Sequence, residues 1–381
     1  MSNWTILIYA NGNNELEPEM YESMLDCEKV SPDCDVNVII QLARADRKIA
    51  EIMRPDEVFT KEKNDSWVGA RRYYIGKSNL QLIQDIGKIN MAHPETLYEF
   101  IKWGIEAYPS EHYMVVLAGH GISFVGTLMD LTFETPYIMG IPEMCRAIEL
   151  VKNHIDVKID ILVLDMCNMN SIEILYEFGK NKINMVSNIL TYIGEGPFKG
   201  LPYNTLIELV QNYSDSHNIN KLIIEIISTL NLDTIAFEIN HEKLESIKNK
   251  FNNLAYCYLS NNDKYNLHYT SIFTKIHPVY PWYNAINELG QDLLSIIIHH
   301  KLYSNNKKSL IKVTFEDLGN LITIYKKLAF TKNNHWMNLL SGKKANNEFI
   351  NNNEIDFKPM KLSRNSKLFS LLAMNQNLTI E

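Results

Sequence analysis

The chain has 381 residues, 46% of them hydrophobic, and a formal net charge of −8. That is enough apolar material to bury one large core or two modest ones. The acidic balance and the lack of any dense Lys/Arg run exclude non-specific nucleic-acid binding. Short basic spots such as Lys343–Lys344 are diluted with Asn and read as solvated surface.

Trp4–Tyr9 (WTILIY) is apolar but short, has no basic flank and runs straight into Asn11-Gly12-Asn13-Asn14. It reads as the first strand of a domain and not as a secretory signal. Helical periodicity follows over Glu15–Lys29, then a strand over Val36–Leu42 and a third over Arg71–Ile75, placed in a hairpin near the sheet edge. Pro94-Glu95-Thr96 opens a helix through Ala107, with Pro in the first turn. Tyr113–Ala118 is a strand and Ile141-Pro142 opens a helix to about Val151. Ile159–Leu164 is a strand, Ser171–Phe178 a helix and Met185–Leu190 a further strand. This alternation predicts an α/β fold whose mostly parallel sheet is covered by helices on both faces. In such sheets ligands bind at the carboxyl ends of the strands.

Past about residue 204 the texture becomes rich in Asn, Lys, Ile and Tyr. Helices are expected over Thr205–Tyr213, Asn220–Leu230, Glu242–Leu259, Asn284–His300 and Phe315–Leu328, with one strand at Thr234–Ile239. The reading is a domain over 1–212 and a mainly helical C-terminal region over 213–381 packed on it. The Asn-rich stretch near Ala345–Asn353 reads as a linker. No apolar run reaches the roughly 18–20 residues of a spanning helix. The expectation is a cytoplasmic protein with neither membrane nor nucleic acid as partner.

The five cysteines, Cys27, Cys34, Cys145, Cys167 and Cys257, are widely spaced and form no CxxC pair. Neither a disulfide framework nor a zinc knuckle is supported. Cys145 and Cys257 read as small buried hydrophobes. No clustered His, Cys and acid set suggests a metal site. His112 and His154 read as polar helix–strand junctions, and His299–His300 as a helix end.

Two residues stand apart. His120, in Gly119-His120-Gly121, follows the strand Tyr113–Ala118 directly. Cys167, in Asp165-Met166-Cys167, follows Ile159–Leu164 directly. Neighbouring strand ends would bring the two together without sequence proximity. A free thiol is only a few per cent thiolate at neutral pH, so an adjacent imidazole is needed to take its proton and later return it to a leaving amine. Backbone N–H groups at a following helix start would favour thiolate and oxyanion, and the Gly121 and Cys167 amides are the expected oxyanion donors.

With these residues in hand, the sequence resembles a family. WTILIYANGNNELE resembles the opening strand and loop of clostripain-like cysteine peptidases, family C11 of the caspase-like clan. NMAHPETLYEFIKWGIEAYPSEHYMVVLAGHG resembles the family's Pro-Glu-Thr-Leu helix and the strand ending in His-Gly. IDILVLDMCNM resembles its Asp-x-Cys-x-Met signature, and GLPYNTLIELV its Gly-Trp-Pro-Tyr segment. The likeness runs in order from about residue 4 to about 212, with weaker echoes to about 330.

The resemblance implies a caspase-like α/β/α sandwich and hydrolysis of peptide or protein substrates by a His120–Cys167 dyad, without any cofactor for the chemistry. It also implies that Asp165 helps form the pocket for the residue before the scissile bond, P1. Residues two apart in an extended segment share a face, and an acid there favours a P1 Arg or Lys. Helix capping is the alternative role for Asp165. Glu195 is the candidate second acid. Some relatives respond to calcium; Asp130 and Glu134 could ligate it, with solvated surface the preferred reading.

The sequence departs from the family pattern in two places. No Lys or Arg occurs between Lys102 and Arg146, where relatives cut themselves at a basic residue, and Leu201 replaces the Trp while Lys199 brings a positive charge near the pocket. An intracellular role in trimming the leader of a precursor peptide is one expectation. A catalytically silent scaffold is the alternative to the peptidase. A nucleotide-binding enzyme is disfavoured because Asn11-Gly12-Asn13 is no GxGxxG turn.

Overall fold

Strands buried on both faces read as nearly unbroken apolar runs, and the runs noted above form the middle of one sheet. In the computed structural model the described residues are 2–30, 32, 35–59, 67–76, 79–213, 218–260, 283–304, 308–315, 318–341 and 357–362. The Lys343–Lys344 and 345–353 readings lie outside them.

The first half of the chain runs β1 (Ser2–Gly12), α1 (Glu17–Cys27), β2 (Val36–Arg44), α2 (Lys48–Met53), β3 (Gly69–Gly76), β4 (Asn79–Gly87), α3 (Pro94–Ala107) and β5 (Ser110–Ala118). It continues with β6 (Thr127–Asp130), β7 (Tyr137–Met139), α4 (Ile141–Ile155), β8 (Ile159–Asp165), α5 (Ile172–Gly179) and β9 (Val186–Tyr192). Then come α6 (Tyr203–Asn212), α7 (Ile219–Thr229), β10 (Thr234–Glu238), α8 (His241–Ser260), a helix at Tyr283–Ser295 and β11 (Ile297–Lys301). A last short strand, β12, is Met360–Lys361.

The main sheet has nine strands in the order β11-β10-β9-β8-β5-β1-β2-β3-β4. The five from β9 to β2 are parallel. The two strands at each margin run antiparallel to their neighbours. β10 and β11, from the stretch past residue 213, extend the same sheet.

Period-two alternation sorts the strand side chains onto two faces. Leu7, Tyr9, Val115, Leu117, Leu162 and Leu164 join one core with α3, α4, α5 and α8. Trp4, Ile6, Ile8, Met114, Val116, Ile161 and Val163 join the other with α1, α6 and α7. Helix α3 approaches the sheet closely because Gly104 sits against Leu7; a Cβ there would lie 2.6 Å from a Leu7 methyl carbon.

Several expectations are corrected. The helix expected over Asn284–His300 ends at Ser295, and Ile297–Lys301 is a strand paired antiparallel with β10. The Ile-rich run satisfies either period, and the open edge of β10 decides it. His299 and His300 therefore lie in a strand. Described residues of Phe315–Leu328 form short turns at Gly319–Leu321 and Ile322–Tyr325 instead of one helix, with Gly319 at φ +47°. His112 lies within β5, its ring 5.0 Å from that of Trp4. Cys145 is buried, but Cys257 is exposed on α8. The segment between Gly121 and Gly140 contains β6 and β7, which with β12 form a three-stranded sheet.

Candidate active site

Strands β1, β5, β8 and β9 lie in a row and end on one edge of the sheet. The chain leaving each tip contributes one part of a single cluster: Glu15 after β1, His120 after β5, Cys167 after β8 and Gly196 after β9.

The register between β5 and β8 pairs Ala118 with Asp165. His120 and Cys167 each lie two residues past that pair. The Gly119 amide donates to the Asp165 carbonyl at 3.4 Å. Gly121 then rests on the cysteine loop itself. A Cβ at Gly121 would collide with the Cys167 carbonyl oxygen and lie 2.9 Å from Met166 Cβ. The two strand tips thus touch backbone to backbone, which only glycine permits.

His120 is held by its own carbonyl, which accepts from Leu128 N at 2.9 Å and Thr127 Oγ1 at 3.1 Å. Its ring Nε2 lies 2.9 Å from Glu15 Oε1. The two groups are within ion-pair distance of each other. Burial pulls the imidazole down, but the Glu15 carboxylate outweighs it and leaves the ring above its ordinary value, with Arg54 opposing. Burial raises the Glu15 carboxyl, and His120 reverses that and holds it below its usual range.

Cys167 is partly buried. Its Sγ accepts from the Gly196 amide at 3.4 Å. Burial pushes the thiol up; the Gly196 amide opposes this, the Glu195 and Asp165 charges add to it, and Lys312 lowers it. The expected helix-start donors are not the ones at hand: α5 begins only at Ile172, after a turn in which Asn168 has φ +60°. The donor to sulfur comes from the loop after β9 instead. That loop is tied down by Asn168 N to Gly194 O at 2.6 Å and Gly194 N to Asn170 Oδ1 at 3.2 Å. Among the described residues, neither the Gly121 nor the Cys167 amide donates to an acceptor within the fold.

Asp165 is 4% exposed. It accepts from Tyr192 Oη at 2.6 Å, Tyr203 Oη at 2.5 Å and the Leu201 amide at 3.1 and 3.2 Å. Burial holds its carboxyl above the usual carboxylate range, and these donors offset only part of that. All of them are neutral, and among the described residues no cation lies within ion-pair distance of Asp165. Lys199 turns away to Glu22 and Asp26, at 3.2 Å each. Asp165 does not cap α5; Ser171 does, its Oγ accepting from Ile174 N. Glu195 is exposed, one residue before Gly196.

Sequence reasoning missed Glu15, Gly196, Tyr192, Tyr203 as a partner of Asp165, and Lys312. Lys312 arrives from 144 positions along the chain, its Nζ 2.6 Å from Asn168 Oδ1. Its backbone pairs with the cysteine loop through Lys312 N to Asn170 O and Ile172 N to Lys312 O.

Of the two calcium candidates, Asp130 is committed to hydrogen bonds within the fold. Asp130 is fully buried, contrary to the solvated-surface reading. Its oxygens take donors from Asn13, Met91, and the Thr132 amide and hydroxyl. No group of three ligating side chains occurs among the described residues.

The clostripain family profile, peptidase C11, matches residues 10–358. A search of curated proteins finds no match. Among solved structures, an inactive zymogen C11 protease from Parabacteroides distasonis is similar at TM-score 0.59 and 15% identity, covering 87% of this chain and 98% of that one. A secreted C11 cysteine protease from Bacteroides thetaiotaomicron, in complex with an irreversible peptide inhibitor, is similar at TM-score 0.55 and 14% identity, covering 79% and 85%. These neighbours share the caspase-like arrangement of a largely parallel sheet between helical layers. The profile spans most of the sequence, and the chain belongs to the clostripain family of cysteine peptidases.

Proposed function

We propose that this peptidase is an endopeptidase in which Cys167 is the nucleophile and His120 the general base. The observation that carries the reading is the register: β5 and β8 pair Ala118 with Asp165, and Gly121 lies against the Cys167 carbonyl. The proton of Sγ passes to the His120 ring, and the thiolate attacks the scissile carbonyl. An S–C bond forms, the C–N bond breaks and the imidazolium returns its proton to the leaving amine. Water, deprotonated by the same ring, then attacks the thioester and releases Cys167. The Gly121 and Cys167 amides, which have no acceptor among the described residues, are assigned to the oxyanion.

We assign Asp165 to the P1 pocket. It is a buried carboxyl whose hydrogen-bond partners among the described residues are all neutral, so a cationic P1 Arg or Lys would favour its charged form. The exposed Glu195, whose charge reaches Cys167, adds to the same field. The pocket segment, with Leu201 in place of the family's Trp and Lys199 beside it, supports a restricted substrate range, as in processing of a precursor peptide.

A peptide-library cleavage profile tests these assignments. Wild type should cleave after Arg or Lys, and Cys167→Ala and His120→Ala should not cleave at all. Retained cleavage by either variant removes the dyad, and an apolar P1 profile removes the role of Asp165. Broad degradation of casein would end the processing reading.

A further inference from the structure

We propose that Glu15 is a positioning residue for His120, its carboxylate holding Nε2 so that Nδ1 is the nitrogen left to exchange a proton with Cys167. This rests on the dyad reading above. The two ring nitrogens point in divergent directions, so a carboxylate at one commits the other to the opposite side.

Three observations carry the proposal. The contact is close and secluded: Nε2 to Oε1 is 2.9 Å, with side-chain exposures of 17% for His120 and 1% for Glu15. The loop that presents Glu15 is built from buried amides. Asn11 Nδ2 and Asn14 Nδ2 both donate to the Met129 carbonyl at 2.9 Å, Asn13 Nδ2 donates to Asp130 Oδ2 at 2.7 Å, and Asn14 Oδ1 accepts the Leu16 amide at 3.0 Å. Arg54 Nη1 fixes the Glu15 carbonyl at 3.0 Å. Lastly, His120 hangs on the same frame, since Leu128 N, one residue before Met129, donates to its carbonyl. Glu15 and His120 are therefore fixed to a common segment, β6, and not merely to each other.

The charged groups acting on the ring are Glu15, after β1, and Arg54, after α2; the first raises its proton affinity and the second lowers it. Glu15 itself stays ionised. It stabilises the imidazolium that forms when Sγ loses its proton and takes no proton itself, the role of the third member in a nucleophile–base–acid set.

The test follows alkylation of Cys167 by iodoacetamide against pH, read on the Cys167 peptide by mass spectrometry. Wild type, His120→Ala, Glu15→Gln and Glu15→Asp are compared, together with kcat and KM on the best library peptide. In wild type the profile should carry a limb that His120→Ala removes. Glu15→Gln, which keeps the shape and loses the charge, should move that limb to lower pH. It should also cut kcat about a hundredfold with KM little changed. Glu15→Asp should move the limb the same way by less. If wild type shows no His120-dependent limb, the dyad fails and Glu15 with it. If the limb is present and Glu15→Gln leaves it in place, the dyad stands and the Glu15 role is overturned. Should Glu15→Gln not fold, the wild-type limb decides alone: a value below the ordinary imidazole range overturns the proposal.

Discussion

Ala118 and Asp165 face each other across β5 and β8, and the chain past that pair brings Gly121 onto the carbonyl of Cys167. This contact sets how far apart the two strand tips can sit. Gly121→Ala should therefore displace the cysteine loop without emptying any core. We expect kcat/KM to fall at least about a hundredfold, since misplacement of order 1 Å has that effect. The urea midpoint should move by much less than in a core truncation. Activity near wild type would mean that the loops are free to separate.

Asp165 is the hydrogen-bond hub beneath the cysteine. Asp165→Ala strips the acceptor from Tyr192, Tyr203 and the Leu201 amide at once. Each buried donor left unsatisfied costs about 1–3 kcal/mol, so the loss in urea unfolding should be at least about 3 kcal/mol. Replacement of Tyr192 by Phe should cost less, because only one donor is removed and the carboxylate keeps the others.

The central sheet was legible because buried parallel strands need nearly unbroken apolar runs, and β1, β2, β5 and β8 have them. His120 and Cys167 were legible because both sit directly after such strands. β11 was not, since Ile296–Ile298 continues the pattern of the preceding helix and only the open edge of β10 distinguishes the two. Glu15 was read as part of a helix start; its role depends on a partner 105 positions away. Gly196 carries no side chain to notice, and Lys312 looked like one lysine among many. Partners chosen by tertiary contact leave no local periodicity, whereas strands do.

Lys312 is half-buried beside the cysteine loop, its ammonium on Asn168. Its charge favours the Cys167 thiolate against the burial that pushes the thiol up. Lys312→Met keeps the stem and removes the charge. The thiol should then ionise at higher pH, and alkylation at neutral pH should slow by severalfold. The profile against pH gives the sign directly: a basic limb displaced upward supports the electrostatic role, and an unmoved limb with unchanged rate refutes it.

The Glu15–His120 pair also links stability to pH. The Glu15 carboxyl is depressed in the folded state, so its contribution is full above the ordinary carboxylate value of 4.5 and is lost as pH falls through the folded value. The His120 ring is raised, so its contribution is full below 6.5 and is lost as pH rises through the folded value. Both hold together between those two limits, where the pair is charged in the native state. Removing one partner of a buried ion pair costs about 3 kcal/mol. Urea unfolding of wild type and Glu15→Gln should therefore differ by about that amount near pH 5.5, midway between 4.5 and 6.5. The gap should narrow on going to strongly alkaline pH, where the ring is neutral in both states. A difference that stays constant from the acid side to the alkaline side would show that Glu15 stabilises the fold through contacts other than the imidazolium.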